Sequence, residues 1–195
     1  MKLFYKLVRN SKPMPKNLSH LMSDIADYLV SSTQRKIKNG ILPPNAPLTK
    51  AVKQGSNTLQ DSGILSSSIT GGNTQTTAEV GTNLKYARIQ HEGGTITPKS
   101  ADALYIPASA STRTLMRTYG LTPGKCMSAM KKAGYQIWRS KSGKAMLAKE
   151  GKDGDPFVLF IRKESIEIPA RPFLFVDDTD RKIIALKTEN FIKGK

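Results

Sequence analysis

The chain has one cysteine, two histidines and no long apolar run, and each shortage removes a class of protein. Cys126 alone cannot build an intrachain disulfide or a multi-cysteine zinc site. Beside Met127 and near Met130 it reads as an ordinary small side chain. No stretch approaches the roughly eighteen apolar residues that a membrane span needs, so no membrane partner is expected. The N-terminus, MKLFYKLVRNSK, mixes basic and apolar residues without an apolar core or a small-residue cleavage site. It does not have the pattern of a signal peptide, and the chain is expected in the cytoplasm where it is made.

Histidine is as scarce as cysteine. His20 falls on an amphipathic stretch and has the setting of a surface residue. His91 opens His91-Glu92-Gly93-Gly94, half of a zinc-protease motif, but position 95 is Thr where the second histidine would stand. Two glycines would also break the helix that such a site requires. No phosphate-binding loop is present, because GKDGDP lacks the Lys-Ser/Thr ending and the preceding strand. No GxSxG or SxxK sequence has a usable context, and Asp177–Asp178 fits a helix cap. An enzyme has no constellation to rest on here, and neither a cofactor nor a metal is expected.

What the chain has in quantity is positive charge. The net charge is +16, and two segments hold nearly all of it. Residues 1–16 carry Lys2, Lys6, Arg9, Lys12 and Lys16 with no acid. Residues 113–152 carry Arg113, Arg117, Lys125, Lys131, Lys132, Arg139, Lys141, Lys144, Lys149 and Lys152 against Glu150 alone. A near-neutral scaffold with basic appendages points to a polyanion or an acidic protein surface as partner. Lys131, Lys132, Arg139, Lys141 and Lys144 are the candidate contacts to DNA or to an acidic partner.

The rest of the chain predicts an α+β domain. Leu18, Leu21, Met22, Ile25, Leu29 and Ile37 recur at helical spacing over 17–39, with Ser23, Asp24, Asp27 and Gln34 on the other face and Gly40 as C-cap. Residues 41–58, with Pro43, Pro44, Pro47 and Gly55, read as a loop. A short helix is expected from Ile64, then a hairpin whose second strand is 76–82, with the turn at Gly71–Gly72–Asn73. Strands follow at 104–108, 157–161 and 165–168, and a C-terminal helix begins behind Asp177, Asp178 and Asp180. The Ser-, Gly- and Lys-rich stretch 109–155 reads as an insertion or partly ordered arm, with hairpin turn chemistry in KSGKAMLAKEGKDGDP. In outline, a small, mainly antiparallel sheet is flanked by an N-terminal amphipathic helix and a C-terminal helix.

Four segments in order carry a family resemblance. They are the helix before the Pro-rich loop; Asp61-Ser62-Gly63-Ile64-Leu65 with the hairpin after it; Val80-Gly81-Thr82 with Tyr86-Ala87 and His91-Glu92-Gly93-Gly94; and Ile168-Pro169-Ala170-Arg171-Pro172-Phe173-Leu174 before the acidic-capped helix. Together they resemble the phage virion morphogenesis family, the tail-completion proteins of Mu-like and other contractile-tailed phages. The layout is also similar to that of siphophage head–tail joining proteins. The resemblance covers most of 17–108 and 157–195. It implies a single tail-completion domain over 1–195, to which the charge pattern adds 1–16 as a basic N-terminal arm and 109–155 as a basic insertion or arm.

The resemblance also implies a structural protein of the phage neck, in a homo-oligomeric ring with a hexamer favoured. Its implied neighbours are tail tube or sheath proteins and head-connector proteins, with DNA in the channel within reach. The Pro169-Ala170-Arg171-Pro172 run is a rigid extended corner by its prolines. Arg171, Phe173, Leu174 and Phe175 beyond it are either a subunit contact or a buried corner holding the last helix. The competing function is a free-standing nucleic-acid-binding protein that uses its basic arms.

Overall fold

A computed structural model describes residues 1–6, 17–53, 55, 57–99, 101–118, 120, 122–132, 134–140, 145–150 and 156–194. The chain divides into two units, one of 1–44, 57–93 and 169–195, the other of 45–56 and 94–168. The second encloses the whole basic stretch 109–155. Among the described residues, no helix is long and apolar enough to cross a membrane.

The first unit is built around α1 (Ser19–Asn39). Its predicted apolar face is the buried one, with Leu21, Met22, Ile25, Ala26, Leu29 and Ile37 inside and Asp24 and Asp27 exposed. Gly40 ends it at φ 81°, a conformation that costs a glycine little. This helix covers a three-stranded antiparallel sheet of β1 (Lys2–Lys6), β2 (Thr70–Asn73) and β3 (Thr77–Gly81), in the order β1-β3-β2. Ala78 and Val80 alternate inward along β3.

Two expectations change in this unit. Gly71 and Gly72 lie inside β2 and not at its turn, which falls at 74–76, where Thr74 N donates to the Thr77 carbonyl at 2.8 Å. The cause is the closeness of α1. A Cβ on Gly71 would stand 3.0 Å from Val30 Cγ2 and 3.4 Å from Ala26 Cβ. Lys2–Lys6, expected in the basic arm, instead pair along β3 from Lys2↔Gly81 to Lys6↔Thr77. Gly81 permits this approach, since a Cβ there would collide with the Met1 carbonyl oxygen. Residues 7–16 of that arm lie outside the described residues.

Three further helices complete the first unit: α3 (Ile64–Ser67), α4 (Ala87–Glu92) and α7 (Asp178–Ile192). Helix α7 starts on the predicted acidic cap. Asp177 Oδ1 accepts from Asp180 N at 2.8 Å and Asp180 Oδ2 accepts from Asp177 N at 3.0 Å, a reciprocal capping box. Phe173 and Ile184 join the α1 and β3 side chains in one core.

In the second unit, α2 (Pro47–Val52) forms within the expected 41–58 loop. Pro47 opens it at a position where a missing N–H costs nothing. Strand β4 (Gly94–Ile96) pairs with β9 (Ile166–Ile168), and a four-stranded antiparallel sheet runs β5-β8-β7-β6. Its strands are β5 (Leu104–Pro107), β6 (Gln136–Arg139), β7 (Ala145–Glu150) and β8 (Pro156–Lys163). Helices α5 (Ala110–Thr118) and α6 (Pro123–Lys132) precede β6. The described part of 109–155 thus supplies two helices and two strands, and the hairpin read in KSGKAMLAKEGKDGDP is the β7–β8 pair. Leu159 and Phe160 form the core here, with Tyr105, Met116, Met130 and Tyr135 packed on them.

Candidate assembly site

Two of the four segments that carry the family resemblance, the one around His91 and the one around Arg171, meet in the first unit. Helix α4 ends at Gly93, and the Gln90 carbonyl accepts the Arg171 backbone N–H at 3.0 Å. His91 Nδ1 faces the chain after Pro172 and accepts from Phe173 N at 3.2 Å and Leu174 N at 3.4 Å. The His91 and Phe173 rings also meet edge to face, 5.1 Å apart at 84°. His91 is therefore an acceptor that fixes the corner, and Glu92 is engaged by Arg88 at 2.8 Å. Among the described residues no three His, Cys, Asp or Glu side chains are grouped to hold a metal ion.

Burial pushes the His91 imidazole below its ordinary value of 6.5, against an opposing pull from Glu92. Protonating Nδ1 would also remove the acceptor for two backbone donors. A histidine held neutral in the folded chain binds its proton more readily when unfolded. Stability is therefore full above 6.5 and falls as pH drops from there toward the lowered folded value. Urea midpoints taken at about pH 7.5 and pH 5.5 should show this fall in the native chain. It should largely disappear in His91→Gln; an unchanged fall would assign it to other groups.

Arg171 lies behind the corner, 6% exposed. Its Nε donates to the Pro43 carbonyl at 2.8 Å and its Nη2 to the Pro44 carbonyl at 3.1 Å. Burial lowers its pKa. Thr58 grips the same loop, its hydroxyl accepting from Ile41 N at 2.6 Å and donating to the Ile41 carbonyl at 2.7 Å. Arg171 thus ties the proline corner to the Pro43–Pro44 loop through backbone carbonyls, with no carboxylate of a described residue involved. Arg171→Ala should lower stability by about 1–3 kcal/mol by removing these charge-assisted bonds. Lysine should recover little, because it lacks the planar fork. A purified Arg171→Ala chain with an unchanged urea midpoint would point instead to a role between subunits.

A polar cluster beside the corner is the part that sequence reasoning missed. Tyr28, Ser32 and Lys36 stand one helical turn apart on α1 and converge on Asp180, which is 1% exposed. Asp180 Oδ1 accepts from Ser32 Oγ at 2.6 Å and from Tyr28 Oη at 2.9 Å. Oδ2 accepts from Lys36 Nζ as well as from the Asp177 N–H of the capping box. Lys36 Nζ also lies 3.1 Å from Asp177 Oδ2, donates to the Phe175 carbonyl at 2.8 Å and sits 4.2 Å from the Phe175 ring centre. Burial alone would raise the Asp180 pKa. The bonds from Lys36, Ser32, Asp177 and Tyr28 outweigh it and bring the value down to about 2. The only local signal was the spacing of three polar residues on the helix.

Of the four candidate subunit-contact residues, Arg171, Phe173 and Leu174 are buried in the first unit, and Phe175 is 41% exposed. Among the candidate polyanion contacts, Lys131 and Lys132 are exposed on α6 and Arg139 is exposed on β6, while Lys141 and Lys144 lie outside the described residues.

The α4 end, the proline corner and the α7 cap are bonded within one unit of an α+β chain, and the signature residues hold that architecture. The chain belongs to the phage virion morphogenesis family, whose model matches residues 2–193. The matched range takes in 2–16 and 109–155, which lay outside the resemblance read from the sequence. No curated protein and no solved structure matches the chain.

Proposed function

We propose that the protein is a structural component of the phage neck, completing or capping the tail as a ring at the head–tail junction, without catalysis. The carrying observation is the family match over 2–193. The residues most open to a catalytic reading give it physical support. His91, Glu92, Arg171 and Asp180 are committed to hydrogen bonds or ion pairs within the first unit.

A closed ring needs each subunit to offer two different surfaces, and Phe175, exposed beside Lys36, is the residue of the proline corner best placed to serve one. Six copies would match a sixfold tail; tail tube or sheath proteins and head-connector proteins are the neighbours on either side. Disabling the gene should leave filled heads and separate tails that join when purified protein is added. Normal joined particles without the protein would overturn the reading. Light scattering that gives a monomer even in the presence of tails would remove the ring.

A further inference from the structure

We propose that the second unit carries a binding surface for double-helical DNA, formed by α5, α6 and β6 and directed at the phosphate backbone. This goes beyond the neck assignment and does not depend on it. Between Asp102 and Glu150 the chain has nine Lys or Arg and no acidic residue. In the fold, four of these cations, Lys125, Lys131, Lys132 and Arg139, are exposed on α6 and β6. Helix α6 packs on the Leu159–Phe160 core through Met130. Lys125 and Lys132 fall on the side away from Met130 with Ser128 between them, all three exposed. They stand about 10 Å apart along the axis, close to three base-pair steps of a duplex. Lys131 is exposed beside them, and Arg139 ends β6, the edge strand of its sheet.

Lys125, Lys131, Lys132 and Arg139 form no ion pair with a described residue. The last acid before the basic stretch, Asp102, is held by Arg162 at 3.2 Å. Helix α5 packs through Met116 and turns the hydroxyls of Ser111, Thr114 and Thr118 outward, and such hydroxyls are phosphate-contacting donors.

Other polyanions fit this face less well. A specific protein interface is depleted of lysine at its centre and is anchored by large apolar side chains. Here, among the described residues of the unit, only Leu115 (38%) and Ile137 (46%) are large, apolar and exposed. Single strands bind by stacking on exposed aromatics, whereas Tyr135 packs on the core and Trp138 is half-buried. Three of the four cations are lysines, compact point charges suited to phosphate without base readout. A strongly positive face on which only two large apolar side chains, Leu115 and Ile137, are exposed among the described residues suits a sequence-independent duplex contact.

The test is a titration of the full chain with short labelled duplexes of unrelated sequence, at about 50 and 200 mM salt. Expected is binding that differs less than about threefold between sequences, with log K against log salt sloping at about −4 or steeper. Changing Lys125, Lys131, Lys132 and Arg139 together to Gln should flatten the slope by about one per cation and weaken low-salt binding at least about tenfold. A control set, Lys38, Lys85, Lys182 and Lys187 to Gln, removes the same charge from the first unit and should change the slope by less than about one. Circular dichroism should be native for both sets. Equal losses from the two sets would reduce the effect to net charge and overturn the proposal. So would tighter binding of an equal-length single strand or of polyglutamate, or the absence of any salt-dependent binding.

Discussion

Asp180→Ala should destabilise the first unit by about 3–5 kcal/mol, the usual cost of removing one member of a buried ion pair. The carboxylate receives four donors: Ser32, Tyr28, Lys36 and the Asp177 backbone. Truncation removes this acceptor from all four and leaves the Lys36 ammonium, its side chain 14% exposed, with Asp177 as its one countercharge among the described residues. Asparagine keeps the shape and two acceptor sites without the charge, so it should recover part of the loss. The native chain should also lose about 2 kcal/mol as pH falls. The Asp180 carboxyl titrates near 3.8 when unfolded and at about 2 when folded. Its contribution is therefore present above 3.8 and disappears as pH falls toward 2. Urea denaturation across that range should show an acid limb that is absent in Asp180→Ala. A loss below about 1 kcal/mol for the alanine variant would mean that water replaces the missing carboxylate.

The elements legible in the sequence are those whose causes are local. Helix α1 announces itself by the spacing from Leu21 to Ile37 and by Gly40, and α7 by Asp177 and Asp180 at its cap. Strands β3, β5 and β8 follow from runs of β-branched and apolar residues. What was hidden depends on partners far along the chain. Gly71 and Gly72 look like a turn until α1 is known to lie against Gly71 and the Glu79 side chain against Gly72. Strand β1 exists because Gly81, far along the chain, lets it approach. Helices α5 and α6 were hidden by the Ser, Gly and Lys content of the stretch around them, although Met116 and Met130 pack on the core of their unit.

The candidate site divides in the same way. The corner residues Arg171, Phe173, Leu174 and Phe175 were singled out by proline rigidity and aromatic content. Their actual partners, the Pro43 and Pro44 carbonyls and His91, could not be read because nothing local requires them. Asp180 was visible only as a cap, since Tyr28, Ser32 and Lys36 reach it from the other end of the chain.

Phe173→Ala is expected to match the Asp180 effect, costing about 3–5 kcal/mol as a large aromatic leaves a packed core. Phe173 is fully buried, and its ring also holds the edge-to-face contact with His91. Removing the ring opens a cavity among the α1, β3 and α7 side chains and loosens the imidazole that receives the Phe173 and Leu174 N–H groups. The damage should therefore spread to both signature segments. Amide exchange in α4 and in the first turn of α7 should accelerate together, while β5, β7 and β8 in the second unit keep their protection. Phe173→Leu retains most of the buried area and should recover more than half of the loss. The same variant separates the two roles open to this residue. A buried corner residue lowers the urea midpoint of the isolated chain, whereas a subunit anchor leaves that midpoint unchanged and weakens only association. An isolated Phe173→Ala chain with native stability that fails to join heads to tails would move Phe173 from the core to the interface.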